Sequence, residues 1–296
     1  MRVLLATDGS SSSEQAAALV AETPWPSGTA LRIVHVIDAG QDAFIAAPGV
    51  VVSEETIERI ETAAGEHNQR IVADAAARQA RPGMVVDTAL LRGRPASAIL
   101  AAADSFAADL IVVGSHGRGT WASRLLGSVT AEIVEYSTRP VLVARGSSIR
   151  RIVLADDGSP SAARARALVG RMPGFKGLAV RVVSVADRSP SWIGGFALGA
   201  ADEIQALEDS ARTEARRHAD LAEGAARELG AMGLEAGSTA PIGDPGSEIV
   251  RVAVDWQADL IVMGTRGQTG LARLLLGSVA RKVVQHAHTS VLVVRG

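Results

Sequence analysis

Short apolar runs alternate along this chain with longer Ala-rich segments whose apolar positions recur at helical spacing. Runs such as VLLA and LIVV show no polar alternation, as expected of strands buried on both faces. In the first half the pattern predicts strands near 2–7, 30–37, 84–91, 109–114 and 140–145. Helices are predicted near 12–22, 53–80, 95–106 and 127–137. Strand–helix–strand alternation with right-handed crossovers predicts an α/β fold with a doubly wound parallel sheet. Pro95 and Pro245 stand where a first helical turn is expected, and Asp244 is placed to cap one.

The pattern is written twice. MRVLLATDGS aligns with RRIVLADDGS, pairing Asp8 with Asp157, and LRIVHVID aligns with VRVVSVAD, pairing Val36 with Val185. ADLIVVGSHG matches ADLIVMGTRG, and RPVLVARG matches TSVLVVRG, at an offset of 149 to 150 residues throughout. Internal repetition of this length predicts two domains of one fold, 1–147 and 148–296. The joint at Gly146-Ser147-Ser148 is short, so the repeats are expected to pack together. The final strands, 140–144 and 290–294, are apolar edges that pairing about a pseudo-twofold axis would cover.

Composition narrows the class. At 296 residues with 47% hydrophobic and 21% charged residues, the chain can bury two cores. A formal net charge of −2 gives no electrostatic footprint for nucleic acid. The absence of cysteine excludes disulfides, thiolate metal sites and a cysteine nucleophile. No apolar run approaches the roughly 18 to 20 residues of a spanning helix, so no membrane partner is expected and a cytoplasmic location is the default.

The candidate chemistry lies beyond the carboxyl ends of the strands, where doubly wound sheets bind ligands. Asp8 and Asp157 close the first strand of each repeat, and Val36 and Val185 the second. As the fourth strand ends, GSHGRGTWASRLLGS (Gly114 to Ser128) and GTRGQTGLARLLLGS (Gly264 to Ser278) share one glycine spacing. It runs Gly114, Gly117, Gly127-Ser128 and Gly264, Gly267, Gly277-Ser278. Gly114 and Gly117 allow positive φ and leave no Cβ, so backbone N–H groups can converge on an anion, and the helix opened by Gly127-Ser128 favours phosphate. A phosphate chain held between turn and helix start is the ligand this predicts. The strand-end carboxylate suits ribose hydroxyls or a metal-bound water, and the Val36 region suits a flat base.

The motif G-x2-G-x9-G-[ST], with a first strand ending in Asp-Gly-Ser, resembles the ATP-binding branch of the universal stress protein family. Two copies in one chain resemble its tandem type, frequent in actinobacteria. The resemblance covers nearly the whole chain and implies two Rossmann-like domains of the adenine nucleotide alpha hydrolase kind. It also implies an ATP site in each repeat, with Mg2+ a possible companion, and association of whole chains into a dimer. Carried onto matching positions, phosphate contacts fall on Gly114, Ser115, Gly117, Arg118, Gly127, Ser128 and Val129. In the second repeat they fall on Gly264, Thr265, Gly267, Gly277, Ser278 and Val279. Ribose or base contacts fall on Ala6, Asp8 and Val36, and on Ala155, Asp157 and Val185. The chain departs from the family pattern at Thr120, Trp121 and Thr269.

Other signals weigh less. His116, replaced by Arg266 in the second loop, reads as a solvent-facing residue or as a phosphate contact. His286-Ala-His288 reads as a helix end and not a metal pair. Asp156 reads as the counterpart of Thr7. The two lysines, Lys176 and Lys282, stand in no G-K-[ST] sequence, so no Walker P-loop exists. Segments 38–55 and 187–203 fall outside the repeat, and Trp192, Ile193, Phe196 and Leu198 suit a lid, a docking surface or a core cap. Three functions fit: a nucleotide-dependent regulator with little or no hydrolysis, a slow ATPase or adenylyl-transferring enzyme, and a scaffold with vestigial sites.

Overall fold

A computed structural model describes residues 1–38, 53–79, 81–117, 126–187, 201–265 and 276–295. For Glu54, Ile57, Glu58, Glu61 and residues 201–207 it describes the backbone only. The chain divides into two compact units, Met1–Ser148 and Ile149–Gly296.

Unit 1 runs β1 (Arg2–Ala6), α1 (Ser11–Glu22), β2 (Thr29–Ile37), α2 (Glu54–Ala77), β3 (Met84–Arg92), α3 (Pro95–Ser105), β4 (Leu110–Gly114), α4 (Ser128–Tyr136) and β5 (Val141–Ala144). Its strands lie in the order β3-β2-β1-β4-β5, each pair parallel. Chain order reverses at β1, whose neighbours are β2 and β4. Right-handed crossovers therefore place α1 and α2 on one face and α3 and α4 on the other. Burial follows position in the sheet. Every residue of β4 and β5 is buried, whereas the edge strand β3 alternates between half-buried and exposed.

Unit 2 repeats the plan with β6 (Arg151–Ala155), α5 (Pro160–Arg171), β7 (Ala179–Val183), β8 (Ala186–Asp187), α6 (Ala201–Ala231), β9 (Glu235–Thr239), β10 (Ile242–Gly243), α7 (Pro245–Asp255), β11 (Leu260–Gly264), α8 (Ser278–His286) and β12 (Ser290–Val294). Its order is β12-β11-β6-β7-β9, again parallel. One difference is local. In unit 1, β2 and β3 pair over nine residues, including Val36 with Leu91. In unit 2 the residue after Ala240 is Pro241, which has no N–H to give the ladder. Pairing stops at Val183–Thr239 and resumes as the two-residue β8–β10 ladder.

Pro95 and Pro245 each occupy a first helical turn. Asp244 caps α7: its Oδ1 accepts from Ser247 N at 2.8 Å and from Lys282 Nζ at 2.6 Å. The hydrogen bond from Lys282, then those from Ser247, hold its carboxyl at about 2, below its ordinary 3.8. Arg94, at the same place in unit 1, provides no side-chain cap. Asp244→Ala should cost about 1 kcal/mol at neutral pH in urea unfolding, the usual worth of such a cap. Because the folded value is the lowered one, the charged cap contributes fully above pH 3.8 and is lost as pH falls through about 2. Asp244→Asn keeps a capping oxygen and should remove that acid limb.

Candidate functional site

The turn after the first strand has the same build in both units. Thr7 N donates to Val34 O at 2.9 Å, and Asp156 N to Val183 O at 2.9 Å, which carries β1 and β6 one residue past their last ladder pair. Gly9 (φ +73°) and Gly158 (φ +78°) then turn the chain. Asp8 Oδ1 accepts from Ser10 N at 3.0 Å, and Asp157 Oδ1 from Ser159 N at 3.0 Å, so each aspartate closes an Asx turn. Ser10 and Ser159 cap the helices that follow. Ala6 and Ala155 sit at the strand ends, each 8% exposed. Val36 lies half-buried near the end of β2, and Val185 is buried just past β7.

At the other side of the switch point, Gly114 ends β4 and Gly264 ends β11. The conformational expectation for these glycines is not met. Positive φ belongs to Gly9 and Gly158, and neither Gly114 nor Gly117 adopts it. Gly114 is needed for close approach instead: a Cβ there would lie 2.7 Å from the carbonyl carbon of Ser12. A Cβ on Gly264 would lie 2.8 Å from that of Ser161. Gly117 faces the aspartate turn, its own hypothetical Cβ 3.0 Å from Asp8 Oδ2.

The loop closes on the helix that follows. Gly127 N donates to Ser115 O at 2.8 Å, and Gly277 N to Thr265 O at 2.8 Å. Gly127 and Gly277 are N-caps of α4 and α8 with no side-chain acceptor. The first-turn N–H groups, among them those of Ser128, Val129, Ser278 and Val279, therefore lack a side-chain partner from the cap. They carry the positive end of a helix dipole beside the aspartate turn.

Ser115 and Thr265 are buried, and the Ser115 hydroxyl is directed inward. Ser115 Oγ lies 3.2 Å from Ser12 Oγ and 2.9 Å from His116 Nδ1, and Ser12 Oγ accepts from His116 N at 3.1 Å. His116 is thus half-buried and not solvent-facing, with Nε2 buried and unpartnered among the described residues. Thr265 Oγ1 is likewise buried without a partner among the described residues. Arg118, Trp121, Arg266, Gly267 and Thr269 lie outside the described residues, as do 39–52 and 188–200 with Trp192, Ile193, Phe196 and Leu198.

Beside these turns the units diverge. In unit 1, His35 Nδ1 lies 2.8 Å from Thr7 O and Nε2 3.2 Å from Asn68 Oδ1 on α2. In unit 2 the ring comes from the helix: His218 Nδ1 contacts Ser184 Oγ at 2.8 Å, and Nε2 contacts Glu214 Oε1 at 3.2 Å. Burial, with Arg217 beside it, pulls His218 below its ordinary range, against the opposing charges of Glu214 and Asp157. Asp156, paired with Arg166, is turned into the protein and away from any shared site with Asp157. The repeat alignment shows the exchange of His35 and Asn68 for Ser184 and His218 once strand and helix are superposed. It escapes notice when each histidine is read alone.

Each unit is a doubly wound α/β domain that carries an aspartate turn after its first strand and a glycine-opened helix after its fourth. The sequence profile of the Universal stress protein family matches residues 1–145 and again 148–295, so the chain belongs to that family. A universal stress protein of Mycolicibacterium smegmatis is 28% identical over 310 residues, covering 99% of this chain and 96% of that relative. One from Methanocaldococcus jannaschii is 60% identical over 53 residues, 18% of this chain and 31% of that relative. Among solved structures, a universal stress protein from Archaeoglobus fulgidus has the same fold. The TM-score is 0.63 at 20% identity, over 99% of this chain and 98% of that one. Among the described residues, no helix is long and apolar enough to cross a membrane.

Proposed function

We propose that the chain binds ATP, one molecule in each unit, and acts as a nucleotide-dependent regulator with little or no hydrolysis. The observation that carries this reading is the convergence of Asx-turn aspartate, loop glycine and glycine-capped helix start in unit 1, with the same aspartate turn and glycine-capped helix recurring in unit 2. Phosphates would lie over the main chain of Gly114, Gly117, Gly127, Ser128 and Val129. In the second unit, Gly264, Gly267, Gly277, Ser278 and Val279 would take that part. Asp8 and Asp157 would take the ribose or a water of bound Mg2+. A donor set of one carboxylate with phosphates and waters suits magnesium, which keeps several waters and uses one or two carboxylates. Ala6 and Val36, and Ala155 and Val185, would border the base.

Mass spectrometry of nucleotide released from denatured protein tests the ligand, and titration of stripped protein tests the count. An adenine nucleotide and two sites are expected; no nucleotide and no binding would overturn the reading. Steady turnover lost on replacing Asp8 and Asp157 would instead make the protein an ATPase. Gly117→Ala sharpens the test, because its Cβ would press on Asp8 Oδ2 and on the space given to phosphate. A loss of about 1–2 kcal/mol at that site is expected from overpacking, roughly five- to 30-fold in affinity. Unit 2 should bind as before, since it has its own loop.

A further inference from the structure

The two units differ most where the first helix faces the second. In unit 2 that place is filled by Arg166 of α5. Its guanidinium pairs with the buried carboxylate of Asp156 and, at 2.7 Å, with Glu228 of α6. Helices α1 and α5 both span 12 residues, beginning at Ser11 and Pro160, so Arg166 falls on Ala17. Asp156 falls on Thr7, which makes the same backbone bond to the next strand. Along α2, Asn68 and His218 reach equivalent strand residues, His35 and Ser184, so Glu228 falls on Arg78. Three exchanges thus remove the filling side chain, neutralise one wall and reverse the charge of the other.

Unit 1 is left with a cavity of about 240 Å³ between α1 and α2. Its floor is apolar and small: Ala17 (2% exposed), Ile71 (8%) and Ala75 (6%). His67, Arg70, Asp74 and Arg78 stand along one rim at helical spacing, and Glu14 of α1 stands opposite, 3.9 Å from Arg78. The rim therefore sets two guanidinium groups against two carboxylates. A simple anion would meet Glu14 and Asp74, and a simple amine would meet Arg70 and Arg78. A ligand bearing both charges satisfies both pairs. The volume lies below the roughly 300–1,000 Å³ of drug-sized pockets, and so suits a molecule much smaller than a nucleotide.

We propose that this slot binds a free aliphatic α-amino acid. Its carboxylate faces Arg70 and Arg78, its ammonium faces Asp74 and Glu14, and its side chain rests on Ala17, Ile71 and Ala75. The site is separate from the proposed nucleotide loop, although Thr7 and Gly9 of the aspartate turn close its inner end.

Titration calorimetry of the full chain with L-alanine, L-valine and L-leucine tests this, with isovalerate and isobutylamine as single-charge controls. At least one amino acid should bind, and both controls at least tenfold more weakly. Ala17→Arg, which puts the filling side chain of unit 2 into the slot, should weaken amino-acid binding by tenfold or more without changing ATP binding. Arg78→Ala, a change at an exposed position, should do the same if Ala17→Arg does not fold. No heat with any of the three amino acids would overturn the proposal. So would a control that binds equally well, or an Arg78→Ala protein that binds like the parent.

Discussion

Arg166→Ala is expected to destabilise unit 2 by about 3 kcal/mol, the low end for breaking a buried ion pair from one side. The Asp156 side chain is 1% exposed, and Arg166 is its charged partner. Its other donor among the described residues is Gly158 N, at 2.9 Å from Oδ1. Without Arg166 the buried carboxylate loses its charged partner and keeps the main-chain hydrogen bond from Gly158 N. The low end applies because Arg166 is itself 21% exposed, so water can reach the space it leaves. The repeat supplies the control. Unit 1 folds with Thr7 and Ala17 at these positions, so Asp156→Thr with Arg166→Ala should recover most of the loss. Urea unfolding of the parent, the single variant and the double variant measures it. A double variant no more stable than Arg166→Ala would show that the stranded charge is not the cause.

The doubly wound fold was legible because its cause is local. Unbroken apolar runs such as LIVV are what strands covered on both faces show, and LIVV of β4 and LIVM of β11 are buried as that requires. The two aspartate turns were legible because an internal repeat shows the same residues twice. What stayed hidden depends on distance in space. Arg166 is ten residues from Asp156, on a helix whose rotation about its axis no local pattern gives away. The proline that ends the β7–β9 ladder stands in plain view as Pro241. Its effect shows only when it is set against Leu91, which pairs with Val36 in the other repeat. The motif glycines were read for torsional freedom and a missing Cβ together, yet at these turns the positive φ is at Gly9 and Gly158. The reason is that a glycine serves two physical ends, an unusual torsion and a missing Cβ, and sequence spacing does not distinguish them.

That distinction has a measurable consequence at Gly114 and Gly264. Gly114→Ala should destabilise unit 1 by about 2–3 kcal/mol, toward the upper part of the range for overpacking. The new Cβ would stand 2.7 Å from the carbonyl carbon and 2.8 Å from the carbonyl oxygen of Ser12, both main-chain atoms. Neither side yields cheaply. The first turn of α1 is pinned by its cap, Ser10 Oγ accepting from Ser13 N at 3.2 Å. The end of β4 is pinned by Thr130 Oγ1, which donates to Gly114 O at 2.8 Å. Trimming the neighbouring side chain should not help, so Ser12→Ala with Gly114→Ala should remain as unstable as Gly114→Ala alone. Gly264→Ala should behave alike in unit 2, where the Cβ would meet the carbonyl carbon and Cβ of Ser161, each at 2.8 Å. Gly117→Ala, by contrast, should leave unfolding nearly unchanged, since its one close neighbour among the described residues is the far end of the Asp8 side chain. Denaturant midpoints of these variants separate the two roles. If Gly114→Ala unfolds at the parent's midpoint, the approach of α1 to β4 is looser than a missing methyl group, and the glycine serves only the loop.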